Sequence, residues 1–371
     1  MKKIGITGQS GFIGSHLYNT LKLDCDNYQI IEFHRDNFHV EAALDAFVKE
    51  CDIIVHLAGV NRHVNDTVIY QANIDLATKL AEAIKRTGSF AHVIFSSSIQ
   101  EERDNIYGNA KKAARVLLAE AAKTNGTGFT GLIIPNVFGP FGNPYYNSVI
   151  ATFCHQLTHS EEPKINVDGE LKLIYVAELV DVIISCFANE PKDEIIVQHT
   201  SQVKVSYILN ILKGFKKDYF DKGIIPLLNH SFELNLFNTF RSYIDLKNYF
   251  PFQLKKNEDN RGVFVELVRL NIGGQVSFST TLPGIIRGNH YHTRKIERFA
   301  VVKGKAKIQL RKVGTNEVLD FYLDGSEPGY VDMPVWYTHN ITNIGHEELL
   351  TVFWINEFYD ANDSDTYMEN V

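Results

Sequence analysis

Short apolar runs alternate with stretches of helical period through the first part of the chain. Residues 3–8 form an apolar run, and 12–21 carry the 3.6-residue spacing of a helix. Further runs at 29–34, 52–58 and 91–98 read as strands, with helical stretches at 41–49 and 72–85 between them. Residues 130–135 and 194–199 read as later strands. This alternation predicts an α/β fold of Rossmann type, a doubly wound parallel sheet with helices on both faces. After about Tyr243 the pattern changes. Runs at 263–270, 275–281, 298–303, 306–311 and 349–355 are short, broken by Gly and Pro, and carry few helical signals. They predict an all-β domain of jelly-roll type. Two domains follow, residues 1–243 and 244–371, with 246–258 as the connection. The tail at 360–371 is polar and acidic and is expected to be mobile.

A length of 371 residues suits two domains, and 44% apolar residues is ordinary for a soluble protein. No run approaches the ~18 apolar residues that span a bilayer, so no membrane insertion is expected. The opening Met-Lys-Lys-Ile-Gly leads straight into the first strand pattern without a secretory signal, so the expected location is cytoplasmic. A net charge of −7 argues against nucleic acid as the main partner but leaves a small anionic substrate open. Cys25, Cys51, Cys154 and Cys186 are scattered, which fits reduced residues and neither a disulfide framework nor a zinc ribbon.

Glycines at 8, 11 and 14 lie where the first strand turns into the first helix. A dinucleotide needs such a turn: the backbone must approach the pyrophosphate, and the helix amides must face it. Gly8, Gly11, Phe12, Ile13 and Gly14 are therefore expected to bind a nicotinamide cofactor. Leu57, Ala58 and Gly59, at the end of the third strand, leave room for its adenosine side. At the end of the second strand, His34 and Arg35 suit a 2′-phosphate and favour NADPH. Glu32 and Asp36 keep open the alternative of a carboxylate on the ribose of NADH.

The fourth strand ends in Ser96-Ser97-Ser98, and Tyr107 and Lys111 follow with the spacing of one helical turn. A lysine beside a phenol lowers its pKa, so that the tyrosine can exchange a proton near neutrality. A serine hydroxyl can hold the substrate oxygen. The set fits hydride transfer at a carbonyl. In this order the motifs resemble the extended short-chain dehydrogenase/reductase superfamily, in its sugar-nucleotide epimerase/dehydratase branch, over about residues 1–240. The resemblance implies that Ser98, Tyr107 and Lys111 are catalytic. It also implies that the loop from Pro135 through Asn136 to Pro140 lies on the nicotinamide side, and that 173–179 lies near the substrate. The segment 99–106 between serine and tyrosine is shorter than in many members.

Gly284, His290, His292, Glu297 and Gly304 give the spacing G-x5-H-x-H-x4-E-x6-G, which resembles the first cupin motif. His339 belongs to a looser second motif, with Trp336 where glycine is usual. Alternate residues of a strand share a face, so His290 and His292 can point into one barrel. Three imidazoles and a carboxylate suit a divalent metal, with zinc the first expectation. The alternative is a metal-free cupin whose histidines bond within the core. Residues 259–264 and 287–290 further resemble cupin-fold epimerases of 4-keto-6-deoxy sugar nucleotides. In those enzymes the position of His290 is a base; here Glu297, Tyr337 and Tyr291 are further candidates.

The order of reductase then cupin resembles the CapF family of capsular-polysaccharide enzymes. That resemblance implies a UDP-linked 4-keto-6-deoxy-N-acetylhexosamine substrate and C3 epimerisation in the cupin. Reduction of the C4 ketone by NADPH would then give UDP-2-acetamido-2,6-dideoxy-L-talose, a precursor of UDP-N-acetyl-L-fucosamine. It also implies a homodimer through the cupin. Three alternatives remain: a single-function reductase with a structural cupin, an NADPH-binding sensor without turnover, and a 4,6-dehydratase or 4-epimerase in which 100–102 supply an acid/base pair. Arg241, Arg261 and Arg287 are candidate pyrophosphate ligands.

Overall fold

The computed structural model describes residues 1–260 and 262–371; Arg261 lies outside the described residues. The chain divides into two compact units, Met1–Thr152 with Ile165–Val205, and Phe153–Lys164 with Ser206–Val371.

The first unit is built on β1 (Lys2–Thr7), α1 (Phe12–Leu21), β2 (Tyr28–Ile31), α2 (Glu41–Glu50), β3 (Ile53–His56), α3 (Asp66–Thr87), β4 (His92–Ser98), α4 (Ile106–Asn125) and β5 (Phe129–Ile134). A sixth strand, Glu194–Ile196, completes a parallel sheet of order β2-β1-β3-β4-β5 followed by that strand. Alternation along each strand loads both faces. Ile54, Val93 and Phe95 pack with Leu44, Phe47, Leu80 and Leu118 of α2, α3 and α4. Ile53, Val55 and Ile94 pack on the opposite face with Leu17 of α1 and with Leu179 and Ile183 of the helix Val176–Ser185. Burial on both faces stabilises the strands from two sides and fits the doubly wound arrangement. The strand order reverses between β1 and β3, and a ligand crevice forms at the carboxyl ends of such strands. α4 is capped by Asn105, whose side chain accepts the Gly108 amide at 2.8 Å.

The second unit carries two five-stranded antiparallel sheets. One runs Phe252–Gln253, Gly329–Met333, Glu297–Lys303, Leu349–Ile355, Gln275–Thr281. The other runs Val318–Asp324, Lys305–Lys312, Tyr337–Asn343, Ile286–Tyr291, Tyr367–Met368. This is the jelly-roll cupin architecture read from the strand pattern. Residues 206–243, which the sequence reading placed in the first domain, pack within this unit. The tie is polar and buried. Arg298 and Asp332 pair at 2.7 Å, the Tyr219 hydroxyl donates to Asp332 at 2.7 Å, and Arg298 donates to the Gly223 carbonyl at 2.9 Å. Breaking such a pair strands a charge in the interior, at a cost of about 3–5 kcal/mol.

Two expectations are corrected. Residues 246–258 are not a bare connection, because they hold the helical turn Leu246–Tyr249 and the strands Phe252–Gln253 and Lys256–Asp259. The tail is not loose. Asp365 is buried, and Tyr367–Met368 adds a strand against Ile286–Tyr291.

Candidate functional site

In the first unit a cavity of about 440 Å³ opens at the carboxyl ends of the strands. Gly8, Gly11, Phe12, Ile13, Gly14, Leu57, Gly59, Ser98, Tyr107, Lys111 and Asn136 all line it. Gly8 holds φ +76°, and a Cβ there would meet the Ala58 amide at 2.7 Å, so only glycine turns the chain here without strain. α1 opens on Gly11 with no side-chain cap and no acidic residue in its first turn. Its terminal amides are thus left for an anion, and this donor set fits a dinucleotide pyrophosphate.

The three serines are not equivalent. Ser96 Oγ donates to the His56 carbonyl at 3.2 Å, and Ser97 Oγ donates to Glu101. Ser98 Oγ accepts the Gln100 amide at 3.2 Å, which leaves its own proton uncommitted among the described hydrogen bonds. Glu101 is gripped by Arg115 of α4 at 2.8 Å, and Arg115 also pairs with Glu194 at 3.0 Å. Glu101 is thus committed to Arg115 and Ser97 and is not among the residues that line the cavity, which disfavours it as the acid/base partner of a dehydratase-like pair. Glu102 is exposed. The short 99–106 segment is accommodated at Gly108, where a Cβ would stand 2.0 Å from the Gln100 carbonyl oxygen. That approach brings Tyr107 onto the same wall as Ser98.

Burial pushes the Tyr107 phenol up to about 12, with a smaller push from Tyr146. This is opposite to the lowering by Lys111 expected from the spacing. Lys111 itself falls to about 8, because burial penalises its charge more than Glu101 supports it. Its ammonium lies 4.6 Å from the Phe95 ring centroid. Desolvation is the largest cause of both shifts.

Three expected cofactor residues do not line the cavity. Ala58 packs behind the wall, its amide on Thr7 Oγ1 at 3.3 Å. β2 ends at Ile31, earlier than the sequence suggested, so His34 and Arg35 lie beyond it on an exposed turn. His34 sits 3.8 Å from Glu32. Asn73, Asn143 and Tyr146 line the cavity and were not read from the sequence. Asn73 is a buried polar residue on a helix, its amide donating to the Val60 and Ile69 carbonyls at 2.6 and 2.7 Å. A polar residue on the apolar stripe of α3 was its available signal; Asn143 and Tyr146 sit in a loop without one.

In the second unit, ligand atoms of His290, His292, Glu297 and His339 all lie within 4.8 Å of one another. A register shift between Gly288 and His290, with Asn289 at φ 62°, sets His290 directly opposite His339. Glu297 enters from the other sheet. The Nε2 atoms of His292 and His339 stand 3.0 and 3.2 Å from Glu297 Oε2. All three atoms are buried and lack a hydrogen-bond partner among the described residues. Orphaned polar atoms converging on one point fit a divalent cation. Burial would raise the Glu297 carboxyl, but His292 and His339 hold it below the usual range. Burial, then His339 and His292, lowers His290 to about 4, so its imidazole is neutral, the form that ligates.

Trp336, at a position where glycine is usual, adopts φ 63° and stacks on Tyr291 at 5.7 Å between centroids. Such a backbone costs about 1–3 kcal/mol for a non-glycine residue, and the buried stack offsets it. Tyr291 also stacks on Tyr367, and burial followed by Glu369 pushes its phenol above the ordinary range. Arg241 is buried with one nitrogen on the Met333 carbonyl at 2.9 Å, and Arg287 is anchored to Thr280 and Thr281. The four cysteines are unpaired thiols, with Cys25 exposed and the others buried. Among the described residues no helix is long and apolar enough to cross a membrane.

Residues 4–197 match the NAD dependent epimerase/dehydratase family, and 257–367 match the polysaccharide biosynthesis C-terminal domain. The chain is 30% identical to a UDP-2-acetamido-2,6-beta-L-arabino-hexul-4-ose reductase of Pseudomonas aeruginosa, over 98% of both chains. It is 27% identical over 125 residues to the spore coat polysaccharide biosynthesis protein SpsL of Bacillus subtilis, covering 30% of this chain and 82% of that one. Among solved structures it is similar to the capsular polysaccharide assembling protein CapF of Staphylococcus aureus, at 36% identity, full coverage of both chains and a TM-score of 0.65. With a glycine loop, a Ser–Tyr–Lys wall and a cupin matched from end to end, the chain belongs to the CapF family, a branch of the NAD dependent epimerase/dehydratase family.

Proposed function

We propose that this chain is a bifunctional sugar-nucleotide enzyme of capsular polysaccharide precursor synthesis. The cupin epimerises UDP-2-acetamido-2,6-dideoxy-4-hexulose at C3, and the reductase unit reduces the C4 ketone. The observation that carries the reading is the convergence of Ser98, Tyr107 and Lys111 with the glycine loop on one cavity. NADPH, when bound, supplies the hydride that C4 accepts. Ser98 holds the C4 oxygen with its uncommitted proton. Tyr107 delivers a proton to that oxygen, and Lys111 supports the phenolate left behind. The charge and planar fork of Arg35, with His34 beside it, favour NADPH over NADH. A 4-ketone acidifies the C3 proton, so epimerisation precedes reduction.

In the cupin, His290, His292, Glu297 and His339 would hold a divalent metal, zinc first, whose Lewis acidity would favour proton loss next to the ketone. Dimerisation through the cupin is supported by Gln275–Thr281, an edge strand whose Val276 and Phe278 are exposed, with Leu282, Ile285 and Ile286 exposed beyond it. Unpaired apolar edges of this kind are natural pairing surfaces.

NADPH oxidation with the UDP-linked 4-keto sugar tests the reductase reading. Tyr107→Phe should lower kcat by about 10²–10⁴-fold, the usual contribution of a general acid, while NADPH binding persists. A Tyr107→Phe variant that turns over at the intact rate would overturn it.

A further inference from the structure

The last nine residues bear on three of the four clustered cupin side chains. The His292 Nδ1 atom lies 2.5 Å from the Asp365 carbonyl oxygen. A carbonyl only accepts, so Nδ1 is the donor to it and Nε2 is the nitrogen that faces Glu297, 3.0 Å from its Oε2. The Asp365 carboxylate accepts from the Thr293, Arg294 and Lys295 amides at 3.0, 3.0 and 2.9 Å. Those residues form the loop between His292 and Glu297. The buried Lys295 ammonium reaches back to the Ser364 carbonyl at 2.8 Å. Further along, Met368 pairs with His290 across the strands, and the Glu369 carbonyl accepts the hydroxyl of Thr338, next to His339.

We infer that the C-terminal segment 363–371 is a built-in outer shell of the metal site, with Asp365 as its positioning residue. The inference rests on the metal reading above. Asp365 sits at φ 44°, a left-handed conformation held in place by its four hydrogen bonds to 293–295. Its carbonyl fixes which His292 nitrogen faces Glu297, and its carboxylate anchors the loop between them. Outer partners of this kind typically set metal affinity by 10–100-fold. Coupling is reciprocal: a tail that orders the site is itself ordered by whatever occupies the site.

The test uses cobalt(II) as the probe on full-length protein, with competition against a chelator and hydrogen exchange as readouts. Asp365→Ala is expected to weaken cobalt affinity by about 10–100-fold, while Asp360→Ala, at an exposed position before the segment, leaves it within about twofold. In the unaltered protein, cobalt should slow amide exchange in 363–371 as well as in 290–297. This second readout holds whether or not the variant folds. Protection confined to 290–297, or Asp365→Ala binding as tightly as the intact chain, would sink the inference. An intact chain that takes up no cobalt would overturn the metal reading itself, and the inference with it.

Discussion

At the scale of single residues, the reductase wall depends on which serine keeps its proton and on how one lysine is held. Glu101 is the hidden determinant of both. It takes the hydroxyl of Ser97, while Ser98 keeps a proton uncommitted among the described hydrogen bonds, and it supports the charge of Lys111. Lys111 is at about 8 because burial exceeds that support. A buried cation that loses a neighbouring anion falls further in pKa. Glu101→Gln should therefore shift the alkaline limb of the kcat profile to lower pH, since Lys111 gives up its proton earlier as pH rises. An unchanged limb would show that Glu101 acts only as a strut. None of this was visible in the sequence, where Gln100-Glu101-Glu102 reads as an acid/base imitation. The side-chain partner that removes Glu101 from the cavity, Arg115, lies fourteen positions on, and no local pattern announces it.

Elements were legible where a period exists. The helix Phe12–Leu21 and the strands Gln275–Thr281 and Leu349–Ile355 fall where apolar spacing put them. The glycine loop and Tyr107–Lys111 were legible because a turn and a helix fix their geometry locally. The ordered tail was not legible, because polar residues held by tertiary hydrogen bonds carry no period. The attachment of 206–243 to the second unit was also hidden. It is decided by the buried Arg298–Asp332–Tyr219 network, not by the helical pattern of that segment. The early end of β2 moved His34 and Arg35 onto an exposed turn, since strand ends are set by pairing and not by apolar content alone. The edge strand Gln275–Thr281 gives a test at this scale. If the proposed dimer forms through this strand, Phe278→Lys should give monomer in sedimentation, because a charge on an edge strand opposes pairing. A dimer that persists unchanged would place the interface elsewhere.

For the whole molecule, each candidate site is complete within its own unit: every lining residue of the reductase cavity lies in the first, and all four clustered ligands lie in the second. This fits two reactions that share one ketone, with an activated C3 proton removed before the carbonyl is consumed. The two proposed chemistries should therefore separate along the chain. The direct measurement is solvent deuterium incorporation at C3 of the UDP-linked 4-keto sugar without NADPH, in the intact protein, Tyr107→Phe and His290→Ala. Exchange that survives Tyr107→Phe and disappears in His290→Ala is the predicted result. Absence of exchange in an intact protein that still consumes NADPH would contradict it, leaving a reductase joined to a structural cupin.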